Sequence, residues 1–151
     1  ADGQAEAPRE RLVRTLATAG RTDEAERTCR GFLAAGESPA LLVALGDVLA
    51  RRHDSDGAIE AYDQALRLDE RCARAHCGRA EQLLLIGAHT EAVGAARRAL
   101  DIDDSLGRAH ACLGMAYAHR EDYLGAYGHA VKAEQAGIDM SAVWSILQTE
   151  D

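Results

Sequence analysis

The sequence predicts an all-α protein in which antiparallel helix pairs stack into a solenoid. The composition is that of a helical chain, because 47% of the 151 residues are hydrophobic while only 4% are aromatic and only 2 are proline. Apolar residues recur with helical spacing, as in Ile59, Tyr62 and Leu66 at positions i, i+3 and i+7. The whole pattern also recurs along the chain, which indicates a repeat array.

The repeat has a period of 34 residues. Two sets of alanines follow it: Ala58, Ala92 and Ala126, and Ala65, Ala99 and Ala133. Arg74 and Arg108 are separated by the same offset, as are His76 and His110. A helical hairpin of this length cannot bury its apolar face alone, so neighbouring hairpins must stack to complete a core.

Each repeat contains two helical patterns. The first helices are predicted at 39–52, 73–86 and 107–120, and the second helices at 55–68, 89–102 and 123–136. The short segments between them carry Gly, Asp, Ser and Thr, which suit helix ends and N-caps.

This organisation resembles the tetratricopeptide repeat, whose 34-residue pattern is W-x2-L-G-x2-Y…A-x3-F…P. The second and fourth repeats carry the best matches to it: Leu42, Leu45, Gly46, Leu49, Ala58, Tyr62 and Ala65, then Leu113, Gly114, Tyr117, Ala126 and Ala133. The third repeat is weaker, with Arg79 and Ala80 in the Leu-Gly slots, and the closing Pro is absent from every repeat. The resemblance covers about residues 8–148 and implies a right-handed solenoid.

The resemblance divides the chain into successive units. They are a disordered N-terminal lead at 1–7, a degenerate first unit at 8–38, full units at 39–72, 73–106 and 107–140, and a last segment at 141–151. Trp144 occupies the Trp slot of the last segment, which is predicted to be a capping helix or the start of a further repeat.

Histidine and cysteine lie together twice, at His76–Cys77 and at His110 with Cys112, which raises the question of a metal or redox site. Neighbouring residues on a helix point about 100° apart, so His76 and Cys77 do not converge. No C-x2-C or H-x3–5-H set accompanies them. Both histidines fall in the Trp slot, where a side chain packs between helices with one polar atom left to satisfy. We expect no bound metal, and free thiols at all 4 cysteines.

Charge and motifs disfavour several functional classes. A formal charge of −8 is unsuited to phosphate binding, so no nucleic-acid partner is expected. No apolar run reaches the roughly 18 residues of a membrane span, so no membrane insertion is expected. No Gly-rich phosphate loop, G-x-S-x-G or H-E-x-x-H is present, so the chain is expected to be non-catalytic and to need no cofactor. The expected location is the cytoplasm, with a processed N-terminus before Ala1 left open.

The resemblance implies that the first helices line a concave groove that binds a peptide or a segment of a partner protein. The groove positions map onto Val43, Asp47, Arg51, Arg74, Cys77, Glu81, Leu84, Arg108, Ala111, Met115 and His119. In this hypothesis Arg74 and Arg108 meet acidic groups of the ligand. The alternative is that the charges pair only with one another across neighbouring repeats. The carboxylate clamp of Lys and Asn found in some family members is absent, because no lysine precedes Lys132 and no asparagine occurs.

Two other functions stay open at the level of sequence. Exposed Trp144, Ile146 and Leu147 on a final helix would drive a homo-oligomer through the terminal helices. The second open function is that the chain forms the repeat region of a larger enzyme or regulator whose active domain lies elsewhere.

Overall fold

The computed structural model describes residues 3–149, with side chains from Pro8 onward. Over this range the regular elements are all α-helices: α1 (Gly3–Thr18), α2 (Thr22–Ala35), α3 (Pro39–Arg51), α4 (Ser55–Leu68), α5 (Ala73–Leu85), α6 (His89–Ile102), α7 (Gly107–His119), α8 (Tyr123–Gln135) and α9 (Ser141–Gln148). None of the described helices is long and apolar enough to span a bilayer. The chain divides into two compact units, Ala1–Gly78 (unit 1) and Arg79–Asp151 (unit 2), with the boundary inside α5.

Helix starts reproduce the period of the sequence. Helices begin at Pro39, Ala73, Gly107 and Ser141, each 34 residues after the one before. The six predicted repeat helices agree with the observed ones to within one residue at either end. Helix α1 begins at Gly3, inside the segment 1–7 that the sequence assigns to an N-terminal lead. Residues 1–2 of that lead and 150–151 of the predicted last segment lie outside the described residues.

Aspartates in two of the predicted breaks cap second helices, α4 and α8. The Asp54 side chain accepts a hydrogen bond from the Gly57 N–H at 2.9 Å, which caps α4. Asp122 accepts one from the Gly125 N–H at 3.1 Å and caps α8 in the same way. These bonds satisfy N–H groups that have no partner inside the helix.

The turn inside each helix pair contains a residue in the left-handed region. Gly20, His53, Gly87 and Glu121 have φ angles of 79°, 61°, 81° and 62°. Glycine adopts this conformation without a steric penalty, whereas a side chain with a Cβ is disfavoured there. The same backbone geometry therefore closes the pairs α1–α2, α3–α4, α5–α6 and α7–α8.

Unit 1 is built around Tyr62 on α4. Its ring is 1% exposed and lies against glycines of two other helices: a Cβ added to Gly46 on α3 or to Gly78 on α5 would be 2.5 Å from a ring carbon. The absence of side chains at both glycines therefore makes the space that the aromatic ring fills.

Unit 2 packs largely through alanine. Buried alanines from α6, α7 and α8 lie among larger buried side chains such as Leu83, Leu113 and Val143: Ala92, Ala95, Ala96, Ala99, Ala109, Ala116, Ala126, Ala130 and Ala133. Small side chains let helix backbones approach closely, so these contacts define the spacing of the helices.

We expect Gly87→Ala to lower the free energy of unfolding by about 1 kcal/mol, because alanine is strained at the left-handed φ. Gly94→Ala is the matched control. A Cβ at either position meets nothing within 4 Å, but Gly94 lies inside α6 with ordinary helical geometry. Alanine at residue 94 is expected to stabilise the protein by about 0.5–1 kcal/mol. Urea titrations followed by Trp144 fluorescence measure both, and equal effects of the two substitutions would contradict the turn assignment.

Candidate functional site

In unit 1 the predicted groove cation Arg74 is held by carboxylates of the chain itself. Its Nη1 donates a hydrogen bond to Glu10 Oε1 at 2.7 Å, and its Nη2 lies 3.7 Å from Asp47 Oδ2. Arg14, one turn further along α1, donates to the same Glu10 oxygen. Burial acts to lower the pKa of Arg74, but the hydrogen bond and the charges of Glu10 and Asp47 raise it above its ordinary value.

The other predicted groove residues of unit 1 differ in their contacts and exposure. Asp47 accepts a hydrogen bond from the Tyr62 hydroxyl at 2.7 Å, so its carboxylate also serves the core. Val43 and Cys77 are buried and offer no surface to a ligand, whereas Arg51 is exposed. Most residues of α3, Val43 among them, are buried.

In unit 2 the equivalent arginine is also paired. Arg108 at the start of α7 donates two parallel hydrogen bonds to Glu81 on α5, from Nε to Oε1 at 2.7 Å and from Nη2 to Oε2 at 2.5 Å. This is the fork geometry that guanidinium and carboxylate groups favour. In both units the structure therefore contains the internal pairing that the sequence left as an alternative to ligand binding.

Unit 2 contains an open pocket of about 700 Å³ beside this ion pair. The six groove residues that the sequence assigns to this unit all line it: Glu81, Leu84, Arg108, Ala111, Met115 and His119. Apart from the Arg108–Glu81 pair at its edge, the helix surfaces of α5 and α7 that face the pocket are mainly apolar. The pocket is large enough for several side chains of a bound segment.

A second wall of the pocket was missed by the sequence analysis. It comes from the turn between α8 and α9 and from the start of α9, through Ile138, Asp139, Met140 and Ala142. Only first helices of complete units were assigned to the groove, so the last segment was left out. The available signal was the set of apolar residues Ile138, Met140, Ala142 and Val143, which are interspersed with Asp139 and Ser141.

The repeated histidines have a structural role. His76 Nε2 lies 2.9 Å from the Glu70 carbonyl oxygen, and His110 Nε2 lies 3.2 Å from the Asp104 carbonyl oxygen. Each imidazole N–H therefore donates to the backbone six residues earlier, in the turn that precedes its own helix. Among residues 8–149 no three His, Cys, Asp or Glu side chains are grouped so that they could hold a metal ion.

The cysteines of the chain are free thiols, and the one in the pocket wall is buried. All four cysteines are free thiols, and Cys112 at the pocket wall is buried. Cys29 in unit 1 lies 3.2 Å from the Leu41 carbonyl oxygen, and burial raises the pKa of its thiol to about 11. Cys29 is therefore protonated and unreactive at neutral pH.

Comparisons with known proteins define the class. A sequence profile of the tetratricopeptide repeat matches residues 10–68 and 43–106, and the chain belongs to this family. A relative from Mycosarcoma maydis, small glutamine-rich tetratricopeptide repeat-containing protein 2, is 32% identical over 107 residues. That match covers 71% of this chain and 29% of the relative, so the chain spans less than a third of the length of that protein.

Solved structures show the same fold. The crystal structure of MamA has a TM-score of 0.74 and 22% sequence identity, and the match covers 85% of this chain and 76% of that one. The crystal structure of YrrB, a TPR protein with an unusual peptide-binding site, has a TM-score of 0.71 and 22% identity, with coverages of 88% and 69%. TTC0263, a thermophilic TPR protein of Thermus thermophilus, has a TM-score of 0.77 and 18% identity, with coverages of 94% and 79%. The predicted fold class, an all-α solenoid of antiparallel helix pairs, is confirmed.

Proposed function

We propose that the chain is a non-catalytic interaction module that binds a peptide or an extended segment of a partner protein in the pocket of unit 2. The observation that carries this proposal is the apolar cavity of about 700 Å³ on the first-helix face, next to a polar edge. A cavity with apolar walls and a few polar groups is typical of ligand sites. A similar fold in YrrB is described as having a peptide-binding site, which supports a peptide ligand here.

The ligand is held mainly by apolar side chains in this proposal. Arg108 and Glu81 satisfy each other, so a ligand carboxylate would have to displace Glu81 to gain the arginine. Displacing an existing charged partner returns little net free energy. This proposal replaces the hypothesis that Arg74 and Arg108 recognise acidic groups of a ligand.

A cytoplasmic location is part of the proposal, since four free thiols suit a reducing compartment. The module is proposed to work as one region of a longer regulator or enzyme, because the chain matches 29% of its longer relative from Mycosarcoma maydis. Activity of the whole protein would then reside in other regions.

Self-association is a second candidate, favoured by exposed apolar residues on α8. Leu124 and Tyr127, one turn apart, are 86% and 56% exposed. The sequence assigned this role to Trp144, Ile146 and Leu147, but all three are partly buried in the structure. Trp144 packs edge-on against Tyr127 with ring centroids 5.5 Å apart. The candidate contact surface is therefore the exposed pair Leu124 and Tyr127 on α8, not the residues of α9.

Peptide binding is tested with a display library of random peptides selected on the immobilised protein. The enriched peptides are then titrated against wild type and Ala111→Arg by fluorescence anisotropy. Ala111 is partly exposed in the pocket wall, so arginine fills the cavity without entering the core. We expect affinity to fall about tenfold or more, equivalent to at least ~1.4 kcal/mol.

Gly128→Arg is the matched control for that experiment. It adds the same side chain at an exposed position of α8 that is outside the pocket and open to solvent. Peptides that bind the Ala111 and Gly128 variants equally, or a selection that enriches no peptide, would exclude the pocket as the binding site.

Self-association is tested by sedimentation equilibrium at protein concentrations of about 100 µM, where contacts of modest affinity are populated. The second candidate predicts a dimer that Leu124→Glu converts into a monomer. Leu68→Glu, at an exposed leucine of α4 in unit 1, is expected to leave the dimer intact. A wild-type monomer at this concentration rules the candidate out.

A further inference from the structure

Two histidines of unit 2 contact each other across neighbouring helices. The Nδ1 atoms of His110 on α7 and His129 on α8 are 2.9 Å apart, and their rings are stacked with centroids 5.2 Å apart. His110 is 9% exposed and His129 is partly buried. A hydrogen bond between two imidazole nitrogens needs one proton between them, so one ring donates and the other accepts.

The surroundings decide which ring donates. His110 Nε2 lies 3.2 Å from the Asp104 carbonyl oxygen, which can only accept, so Nε2 carries the proton. Neutral His110 therefore presents a bare Nδ1 to its partner. His129 must donate from its own Nδ1, which fixes opposite tautomers for the two rings.

The groups that face the pair do not favour extra positive charge. Tyr117 on α7 has its ring 5.6 Å from that of His129, and Arg97 on α6 donates a hydrogen bond to the Tyr117 hydroxyl. Lys132 lies on α8, one turn beyond His129. Burial, then the charges of His110, Lys132 and Arg97, lower the pKa of His129 below its usual 6.5.

Glu134, a carboxylate of α8, is bonded to α9. Glu134 at the end of α8 accepts a hydrogen bond from Trp144 Nε1 of α9 at 2.5 Å. A cation formed on the histidine pair is therefore surrounded mainly by Arg97, Lys132 and neutral groups.

We propose that His110 and His129 form a pH-sensitive contact that joins α7 to α8 through one shared proton at neutral pH and separates when both rings are protonated. When both rings are protonated, N–H faces N–H and two cations are in contact inside a partly buried site. Like charges at this distance repel each other, and partial burial reduces the screening by water.

The contact bears on the pocket because α7 carries both. Ala111 and Met115 of α7 line the pocket, and His110 precedes Ala111 directly. Mild acid is therefore expected to loosen the helix that forms one pocket wall. The inference itself rests on the histidine geometry and holds whether or not the pocket binds a peptide.

The direction of the pH effect follows from linkage. The pKa of His129 is lower in the folded state than in the unfolded chain, so the unfolded chain binds more protons in mild acid. The destabilisation is absent well above pH 6.5 and grows as the pH falls below it. Asp103 and Asp139 do not interfere at pH 5.0, because hydrogen bonds from Ser105 and Ser141 keep the pKa of each carboxyl below 3.8.

The test compares thermal unfolding of the full chain at pH 7.5 and pH 5.0. Trp144, the 1 tryptophan of the sequence, reports on unit 2 by fluorescence. We expect the acid-induced fall in Tm to be several degrees smaller in His129→Gln than in wild type, because glutamine removes the imidazole whose pKa is lowered in the folded state. An unchanged fall in His129→Gln would overturn the proposal.

His53→Asn is the matched control, because it removes a histidine from an exposed left-handed position that asparagine tolerates. It is expected to keep the wild-type fall in Tm, and loss of the fall in this variant would also count against the pair.

Nitrogen-15 NMR of the imidazoles in wild type decides the question if His129→Gln does not fold. At pH 7.5 the proposal requires a proton on His110 Nε2 and on His129 Nδ1, with neither ring charged. The proposal would be overturned if His129 carried its proton only at Nε2. It would also be overturned if both rings took up protons while the amide signals of α7 and α8 stayed unchanged.

Discussion

Close contact between helices at alanines without accessible surface is the constraint on which the rest of this structure depends. Ala58, Ala92 and Ala126 are each 0% exposed, although they lie in three different second helices. The other alanine series, Ala65, Ala99 and Ala133, is equally buried. Alanine contributes little apolar area, so its value at these sites is the short helix–helix distance that it permits. Buried alanines recur at a 34-residue offset in α4 of unit 1 and in α6 and α8 of unit 2.

Charged residues on the first helices of unit 1 contact the buried core directly. Tyr62 fills the space above Gly46, and its hydroxyl donates to Asp47, whose carboxylate also lies near Arg74. Arg74 in turn bonds Glu10 of α1. Arg74, which the sequence assigns to ligand binding, is thus connected to the buried Tyr62 through Asp47. The apolar pocket of unit 2, about 700 Å³, is larger than two pockets of about 300 and 260 Å³ in unit 1, which is why the proposed function rests there.

Much of the fold was predictable from the sequence, because helix ends follow the repeat period and the breaks carry capping residues. Agreement to within one residue for α3–α8 reflects this. The pairing of Arg108 with Glu81 was foreseen only as an alternative, since spacing along a sequence does not say whether a charge meets its own chain or a ligand. The pocket wall at Ile138 and Met140 depends on how the last segment packs beside α5 and α7. The contact of His129 with His110 depends on how α8 packs on α7. Neither arrangement is contained in a local sequence pattern.

The central claim is that buried alanines determine helix spacing, and Ala126→Leu tests it most directly. Urea unfolding followed by Trp144 fluorescence is compared for this variant and for Gly128→Leu, which adds the same side chain on the same helix where a Cβ meets nothing within 4 Å. The account predicts a loss of about 1–3 kcal/mol in the free energy of unfolding for Ala126→Leu and no loss for Gly128→Leu. Equal stability of Ala126→Leu and wild type would contradict it.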